Sequence, residues 1–435
     1  MSKSKVYILF WLLILLIYMG CKNNKGKNHR PLSNIIYTNY AIQAARFEKE
    51  GKIDSAAYYY KKHWQQSISQ NKIKAATHAL LKLAMLEKER KRSREMNRYL
   101  NLADSLQRKY FPEHDSLRAE ILHLMAIASL ISQNPEKAIS YLNTSKYLKT
   151  KLYGNNDTIL ANTYNNLGIC YYLLADFEKA KENYLLAINL ARRMRQNPNP
   201  IIAKASENLA MIYTMQGNYD QAISYFSEGL RLKSMIYGIN SVETARAYLN
   251  IANFYITLSN YDEAQNNLLR AENIFINNFG PSYKDLADVY LNLGRIYASR
   301  SDHEKALMYF NKSAEILQPP NIDSTTLRLI RANIGYIYFV RNNYPRAIQY
   351  LSEGFSSQKN RPEDIKVYRN LARCYQSLGR RDTADCLFRK SIQLSEGKTG
   401  NPYELATSLL YYGEFFFRNK EYDKARKNYL EAYKI

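Results

Sequence analysis

The sequence predicts an all-α protein in which about ten helix hairpins stack into an α-solenoid. Three observations along the 435 residues predict it. A small residue recurs from near residue 40 almost to the end of the chain, a second small residue follows it by twelve positions, and a bulky apolar residue comes four positions after that. Units that repeat in this way bury their apolar faces against neighbouring units, so they form one continuous array.

The three recurring positions mark the two helices of each unit. The first small residues are Ala44, Ala84, Ala126, Gly168, Ala210, Ala252, Gly294, Gly335, Ala372 and Gly413. The residues twelve positions later are Ala56, Met96, Ala138, Ala180, Ala222, Ala264, Ala306, Ala347, Ala384 and Ala425. The bulky residues are Tyr60, Leu100, Leu142, Tyr184, Phe226, Leu268, Phe310, Leu351, Phe388 and Tyr429. Because spacings of three and four share a helical face, we expect small residues where the helices cross and large ones beside them.

Turn and core signals accompany each hairpin. Turn-forming residues separate the two helices, as in Gly217 to Asp220 and in Asn342 to Tyr344. An aromatic residue three positions after the first small residue is expected to complete the core. These aromatic residues are Phe47, Tyr171, Tyr213, Tyr255, Tyr297, Tyr338, Tyr375 and Phe416.

This pattern resembles the tetratricopeptide repeat over roughly residues 38–435. The first two or three units are degenerate, with Glu87 and Ser129 where the aromatic residue belongs. From Ala84 to Gly294 the units recur every 42 residues, whereas the usual repeat has about 34. The long repeat is similar to kinesin light chains and to bacterial peptide-responsive regulators, and Tyr153-Gly154, Tyr237-Gly238 and Phe279-Gly280 carry that likeness. The resemblance implies a right-handed superhelix whose concave groove binds proteins or peptides without catalysis.

The N-terminus is typical of a targeting segment. Residues 1–20 hold two lysines and then an apolar run that is too short for a comfortable membrane span, and residues 21–35 form a polar tether before the solenoid of residues 36–435. The run ends at Gly20-Cys21, which resembles a bacterial lipoprotein signal peptide. The resemblance implies a lipid on Cys21 and an extracytoplasmic protein anchored in the bacterial cell envelope.

An uncleaved signal anchor is the alternative. Four Lys or Arg residues follow the apolar run between Lys22 and Arg30, against two before it. Because positive charge tends to stay on the cytoplasmic side, this reading makes a single-pass membrane protein with a cytoplasmic solenoid.

Composition argues against an enzyme. The four Cys and six His residues form no zinc-ligand spacing, and there is no phosphate-binding Gly-rich loop and no G-x-S-x-G motif. We therefore expect no cofactor and no metal. The formal net charge of +23 suits nucleic acid, but the export signal and the absence of a clustered basic stripe argue against that partner.

A column of asparagines suggests a binding surface. Asn stands two positions before the first small residue in six consecutive units, at Asn166, Asn208, Asn250, Asn292, Asn333 and Asn370. Asn is a poor helix former, so its repetition within helices needs a reason. One reason is contact with the backbone of an extended peptide, because a carboxamide both donates and accepts hydrogen bonds. The other is architectural, in which each Asn ties its helix to the neighbouring unit.

Basic residues are predicted to share this face by helical spacing. The cations expected to contact a ligand are Lys204, Arg246, Arg295 and Arg373. A groove lined in this way attracts an acidic or carboxylate-ended peptide, although a solvated basic face is the alternative.

The sequence thus predicts a membrane-tethered, non-catalytic scaffold that binds an extended partner segment. The alternative is the ligand-sensing portion of a bacterial signalling system that lacks its kinase or DNA-binding half. The last hairpin is followed by no polar capping helix, so self-association through that end is a further expectation.

Overall fold

The computed structural model describes residues 39–90, 92–111, 115–155, 157–195, 197–318, 324–353, 364–396 and 402–435. The predicted signal peptide, the tether and Cys21 lie outside these residues. Within them, every regular element is helical, and there are twenty α-helices and one short 3₁₀-helix, Thr158–Leu160. No helix among these residues is both long and apolar enough to cross a membrane.

The chain divides into two compact units, whose boundary in the sequence lies between Leu152 and Tyr153. The helices that begin in the first unit are α1 (Asn39–Lys49), α2 (Ile53–Ser69), α3 (Ile73–Glu89), α4 (Ser93–Tyr110), α5 (Asp115–Ile131) and α6 (Pro135–Tyr153). The helix α1 packs against α2 and α3 against α4, and contacts of α2 with α3 and of α4 with α5 join successive hairpins. In the third hairpin α6 meets α5 through Ser145, whose hydroxyl donates to the carbonyl of Ala119.

The second unit continues the same alternation. Its helices are α7 (Ala161–Leu173), α8 (Phe177–Arg192), α9 (Pro200–Met215), α10 (Tyr219–Tyr237), α11 (Val242–Thr257), α12 (Tyr261–Phe279), α13 (Leu286–Ser299), α14 (His303–Ile316), α15 (Ser324–Val340), α16 (Tyr344–Glu353), α17 (Asp364–Ser377), α18 (Arg381–Ser395), α19 (Pro402–Arg418) and α20 (Tyr422–Lys434). Contacts are densest within each hairpin, between an odd-numbered helix and its successor. The predicted α-solenoid of about ten helix hairpins is confirmed.

The predicted small and bulky columns form the core, except that Tyr429 of the last hairpin is 37% exposed. Every alanine of the two small columns, and Met96, is at most 2% exposed. The glycines of the first column face the bulky residue sixteen positions later: a Cβ on Gly168 would lie 2.5 Å from the Tyr184 ring, and one on Gly294 would lie 2.6 Å from the Phe310 ring. Real Cβ atoms do not approach that closely, so these helices cross at a distance that only glycine allows.

Most of the predicted aromatic residues of the first helices lie at the margin of the core, whereas Phe416, 6% exposed, is part of it. Tyr213, Tyr297 and Tyr338 are half-buried and not fully enclosed. Each stacks on a tyrosine of the second helix of its own hairpin, as Tyr297 does on Tyr309 with 5.4 Å between ring centres. These stacked rings join the two helices of the hairpin and partly cover the core from solvent.

The turns inside the hairpins are shorter than the sequence predicts. Tyr219 and Asp220 already belong to α10, and Tyr344 begins α16. One residue with positive φ ends the first helix of each hairpin whose turn is described, such as Gly217 at +74° and Asn342 at +58°. A left-handed residue stops the helix and lets the chain reverse within about three residues.

Candidate ligand-binding face

Four positions on the first helices of the second unit lie on one helical surface, which we call the first-helix face. Relative to the small residue they are six and two positions before it and one and five after it, so that neighbours are three or four residues apart. In α9, α11 and α13 the face consists of Lys204, Asn208, Met211, Met215, Arg246, Asn250, Asn253, Thr257, Asp288, Asn292, Arg295 and Ser299. It also includes Asn166 of α7, Asn333 and Tyr336 of α15, and Asn370 and Arg373 of α17. All ten predicted binding residues thus fall on it.

The six asparagines differ in what they contact. Asn292 is 5% exposed, and its Nδ2 donates to Oδ1 of Asn253 in the preceding repeat at 2.8 Å. Its Oδ1 accepts from Nη1 of Arg295 at 3.1 Å. Asn166 accepts from Nδ2 of Asn165, and it has a further contact as well. These two residues are engaged within the protein.

The other four asparagines are uncommitted. Asn208, Asn250 and Asn370 are half-buried, and their side chains form no hydrogen bond with any residue that the structure describes. Nδ2 of Asn333 is buried without a hydrogen-bond partner in the same residues. An unpaired buried amide costs free energy, so this face retains hydrogen-bonding capacity for a ligand.

Acidic neighbours neutralise part of the predicted basic lining. Nε of Arg246 lies 2.7 Å from Oδ2 of Asp285, which precedes α13. At the far end of the face, Lys366 of α17 forms an ion pair with Glu404 of α19, which also pairs with the buried Arg369 beside the face. The positive charge of the face is therefore smaller than the sequence suggests.

Three predicted cations have no acidic partner among the described residues. Lys204 is exposed, and no described acid lies within ion-pair distance of it. Arg373 is half-buried, and its guanidinium lies between two rings, 4.5 Å from the centre of Phe339 and 4.3 Å from the centre of Tyr411. Such cation–π contacts hold the guanidinium plane in place and leave its N–H groups to point outward at the edge.

Arg295 is the third of these cations. Its side chain is exposed to solvent, although neighbouring atoms partly desolvate the guanidinium and lower its pKa. The group remains charged because an arginine pKa starts far above neutrality. Its only hydrogen bond in the described residues is the one to Asn292.

An apolar cavity opens on the face between α9 and α11. Its volume is about 190 Å³. The lining residues are Tyr172, Met211, Thr214, Met215, Phe226, Asn250, Asn253, Phe254 and Thr257. Met211 and Met215 are 38% and 57% exposed, whereas Phe226 and Phe254 form a buried base.

A polar cavity opens on the face between α13 and α15. Its volume is about 430 Å³. The lining residues are Arg295, Ala298, Ser299, Phe310, Asn333, Tyr336 and Ile337. The unpartnered Nδ2 of Asn333 and the cation of Arg295 thus border the same space.

Sequence reasoning overlooked several residues of these cavities. Met211, Met215, Ser299 and Tyr336 lie one or five positions after the small residue of their helix. Extending the asparagine face by three and seven residues would have found them. Asp285 and Glu404 could not be found in this way, because each reaches a cation in the preceding repeat.

Two kinds of side chain on the described residues bear on catalysis: potential metal ligands and cysteines. No cluster of three His, Cys, Asp or Glu side chains among them could hold a metal ion. Cys170 and Cys374 are buried, and desolvation raises the pKa of each thiol to about 12. Both thiols therefore remain protonated at neutral pH and serve packing.

Family models agree with the hairpin repeat. A tetratricopeptide repeat model matches residues 117–193, 201–275 and 243–318, and a second one matches residues 165–234. No curated protein matches the sequence.

Solved structures share the fold at low sequence identity. The apo form of RapI is 13% identical and superposes with a TM-score of 0.62, covering 82% of this chain and 97% of RapI. The apo form of the quorum sensor NprR from B. thuringiensis is 15% identical with a TM-score of 0.54, covering 80% of this chain and 99% of NprR. A monomeric mutant of IFIT1 with m7Gppp-AAAA is 13% identical with a TM-score of 0.52, covering 91% of this chain and 89% of IFIT1.

At these identities the likeness shows the fold alone. The hairpins, their small and bulky columns and the matching family models lead to one conclusion. The chain carries tetratricopeptide repeats.

Proposed function

We propose that this protein is a non-catalytic scaffold that binds an extended protein or peptide segment along its first-helix face. The observation that carries the proposal is the set of four uncommitted asparagines. Asn208, Asn250, Asn333 and Asn370 occupy one face of α9, α11, α15 and α17, on either side of the engaged Asn292 of α13, and none is hydrogen-bonded to the described chain. A row of free carboxamides matches the alternating N–H and C=O groups of an extended backbone, whatever its sequence.

The architectural alternative accounts for fewer of these residues. If the column existed to tie neighbouring repeats together, each Asn would bond to a side chain or carbonyl of the adjacent first helix. Asn292 does so, through Asn253, whereas Asn208, Asn250, Asn333 and Asn370 form no such bond with the described residues. Recurrence without such bonds favours a partner from outside the chain.

The test replaces Asn208, Asn250 and Asn370 by Ala together. Selection of linear peptides from a display library should enrich binders on the wild type and none on this triple variant, while circular dichroism and the melting temperature stay close to wild type. The matched control replaces Asn183, Asn266 and Asn311, which lie on second helices, and it should still select binders. Equal loss of stability and of binding would support the architectural role, and enrichment on the triple variant would contradict the proposal.

We also propose that a lipid on Cys21 holds the scaffold on the extracytoplasmic side of a bacterial membrane. The support is the resemblance of the first 21 residues to a lipoprotein signal. Mass spectrometry of the mature N-terminus from membrane fractions tests it: a diacylated or triacylated Cys21 should be found in the wild type and be lost in Cys21→Ala. An intact Met1 with unchanged membrane retention would instead indicate a signal anchor and a cytoplasmic solenoid.

A further inference from the structure

We propose that the first-helix face recognises two features of its ligand: an apolar side chain in the cavity between α9 and α11, and a carboxylate in the cavity between α13 and α15. The inference rests on the proposed function and gives it specificity. The free asparagines bind backbone of any sequence, whereas these two cavities would select side chains.

The first subsite has the size and lining for one large apolar side chain. An apolar cavity of ~150 Å³ is known to hold a benzene molecule. The cavity between α9 and α11 measures about 190 Å³ and has Phe254 and Phe226 at its base. Met211 and Met215 form its rim and stay partly exposed. Unbranched thioether side chains can adjust to the shape of the group that enters, and covering them removes apolar surface from water.

Asparagines at the edge of this subsite place it next to a peptide backbone. Asn250 and Asn253 line the same cavity, and the side chain of Asn250 has no partner in the described chain. A residue whose backbone pairs with Asn250 would have its side chain beside the two methionines. The backbone contact and the apolar contact are therefore compatible with one extended ligand.

The second subsite combines a cation with unsatisfied hydrogen-bond donors. Arg295 has no acidic partner among the described residues, and Nδ2 of Asn333 is buried and unpaired. Tyr336 contributes a hydroxyl group to the same cavity of about 430 Å³, whereas the hydroxyl of Ser299 is hydrogen-bonded to Tyr261. A carboxylate would accept from Arg295, Asn333 and Tyr336 and would pair with a guanidinium that has no other counter-charge among the described residues.

The two subsites use the same positions of the repeat with opposite chemistry. Met211 and Met215 lie one and five positions after the small residue of α9, and Arg295 and Ser299 lie at those positions in α13. The repeat between them has Asn253 and Thr257 there. The face thus changes from apolar to cationic over two repeats, which gives a bound segment a fixed register.

The spacing of the subsites sets the spacing of the ligand's side chains. The first helices α9, α11, α13 and α15 contact one another in turn. Packed helices lie ~8–10 Å apart, so two repeats correspond to about 16–20 Å. An extended chain rises ~3.3 Å per residue, and the apolar and acidic residues should therefore be about five or six positions apart.

The probe is an array of linear peptides in a Gly/Ser background, each with one Leu and one Glu. The array varies the separation and the order of the two residues, and the peptide ends are blocked so that only the Glu side chain is acidic. Binding to the full-length protein is measured by fluorescence anisotropy. We expect one order to bind best at a separation of about five or six residues, and Glu→Gln in that peptide to weaken binding at least about tenfold.

Protein variants assign each preference to its subsite. Arg295→Gln should remove the difference between the Glu and Gln peptides and leave the preference for Leu over Ser. The double variant Met211→Ser and Met215→Ser should lose the preference for Leu over Ser and keep the difference between the Glu and Gln peptides. Arg231→Gln is the matched control, because it removes an exposed cation from the second helix α10 and should change neither preference. Circular dichroism verifies that each variant keeps its helical content.

The outcomes separate this inference from the proposed function. Suppose that the wild type binds peptides without a preference for Leu or Glu, and that the variant with Asn208, Asn250 and Asn370 replaced binds none. The two subsites are then wrong and the scaffold function stands. The subsites are also overturned if the Arg295→Gln variant has the same ratio of affinities for the Glu peptide and the Gln peptide as the wild type. If the wild type binds no peptide of the array and none from the display library, the proposed function fails with them.

Discussion

At the scale of single residues, one position of the repeat shows how an ion pair substitutes for an apolar contact. Three positions before the small residue of α9 lies Glu207, and it meets Lys233 of α10 at 2.5 Å. The two residues are 7% and 8% exposed. Burial raises the pKa of Glu207, and Lys233 partly offsets that effect. At the equivalent positions two repeats later stand Leu291 and Leu317, both buried.

Breaking this pair should destabilise the protein in a pH-dependent way. Lys233→Met leaves the Glu207 carboxylate buried without a counter-charge, which costs about 3–5 kcal/mol at neutral pH. Without Lys233 the pKa of Glu207 rises further above its unfolded value, so its favourable contribution is present at acid pH and lost as pH rises through the folded pKa. In urea unfolding, the free energy of unfolding of Lys233→Met should therefore be lower than that of the wild type at pH 7, and the difference should be smaller at about pH 5.

The matched control replaces both partners. Glu207→Leu together with Lys233→Leu copies the Leu291 and Leu317 contact of the later repeat. A buried pair replaced by apolar residues is neutral or gains about 1–4 kcal/mol, so this variant should unfold at or above the wild-type urea midpoint. A single variant that is no less stable than the double would show that Glu207 reaches water.

At the scale of helices, the hairpins differ in how the second helix begins. Side chains of Asn218 and Asp302 accept a hydrogen bond from the backbone N–H three residues later, which satisfies one of the free donors at the start of α10 and α14. Arg92 holds this position before α4 and forms no such bond. Its backbone angles, φ −94° and ψ 78°, are close to those of Asn218, φ −87° and ψ 76°.

Arg92→Asn should therefore stabilise the second hairpin without moving its backbone. A capping side chain contributes about 0.5–2 kcal/mol, and the change also removes a cation from the positive end of the helix dipole. The thermal midpoint should rise. Arg92→Ala separates the two effects, because it removes the charge without adding a cap, and Asn218→Arg should lower the midpoint. An unchanged midpoint in Arg92→Asn would contradict the capping argument.

Helix positions and helix contacts were predicted unequally well. The columns that begin at Ala44 and Ala56 predicted every described hairpin because close helix crossing requires small residues at fixed spacing. The role of each asparagine was not predictable in the same way. Asn292 and Asn250 occupy equivalent positions, but only Asn292 meets a bonding partner, since Arg295 and Asn253 happen to lie within reach of it.

At the scale of the whole molecule, contacts are short-range along the chain. Each helix of the described residues packs chiefly against those one and two positions away. Stability of such an array is a sum of repeat and nearest-neighbour terms, so a local change should have a local effect.

Unfolding should therefore depend on where it is observed. Gly294→Ala inserts a methyl group against the buried Phe310 ring and should cost about 1–3 kcal/mol in the second unit. In a Trp11→Phe background the fluorescence of Trp64 reports on the first unit alone. The circular-dichroism midpoint should fall, and the Trp64 midpoint should stay unchanged. Equal shifts in both signals would show that the chain unfolds as one cooperative body.

The sequence by itself determined the number of described hairpins, their phase and, apart from Tyr429, the small and bulky residues that face the core. It could do so because helix pairing inside a repeat depends on spacings of three, four and twelve residues, which are visible in one dimension. Only the tertiary structure decided which polar groups remain free to bind. Arg246 is neutralised by Asp285 and Arg369 by Glu404, while Arg295 and Asn333 keep their capacity. Those partners come from the neighbouring repeat, about one unit away in sequence, and whether two such side chains meet depends on how the repeats stack.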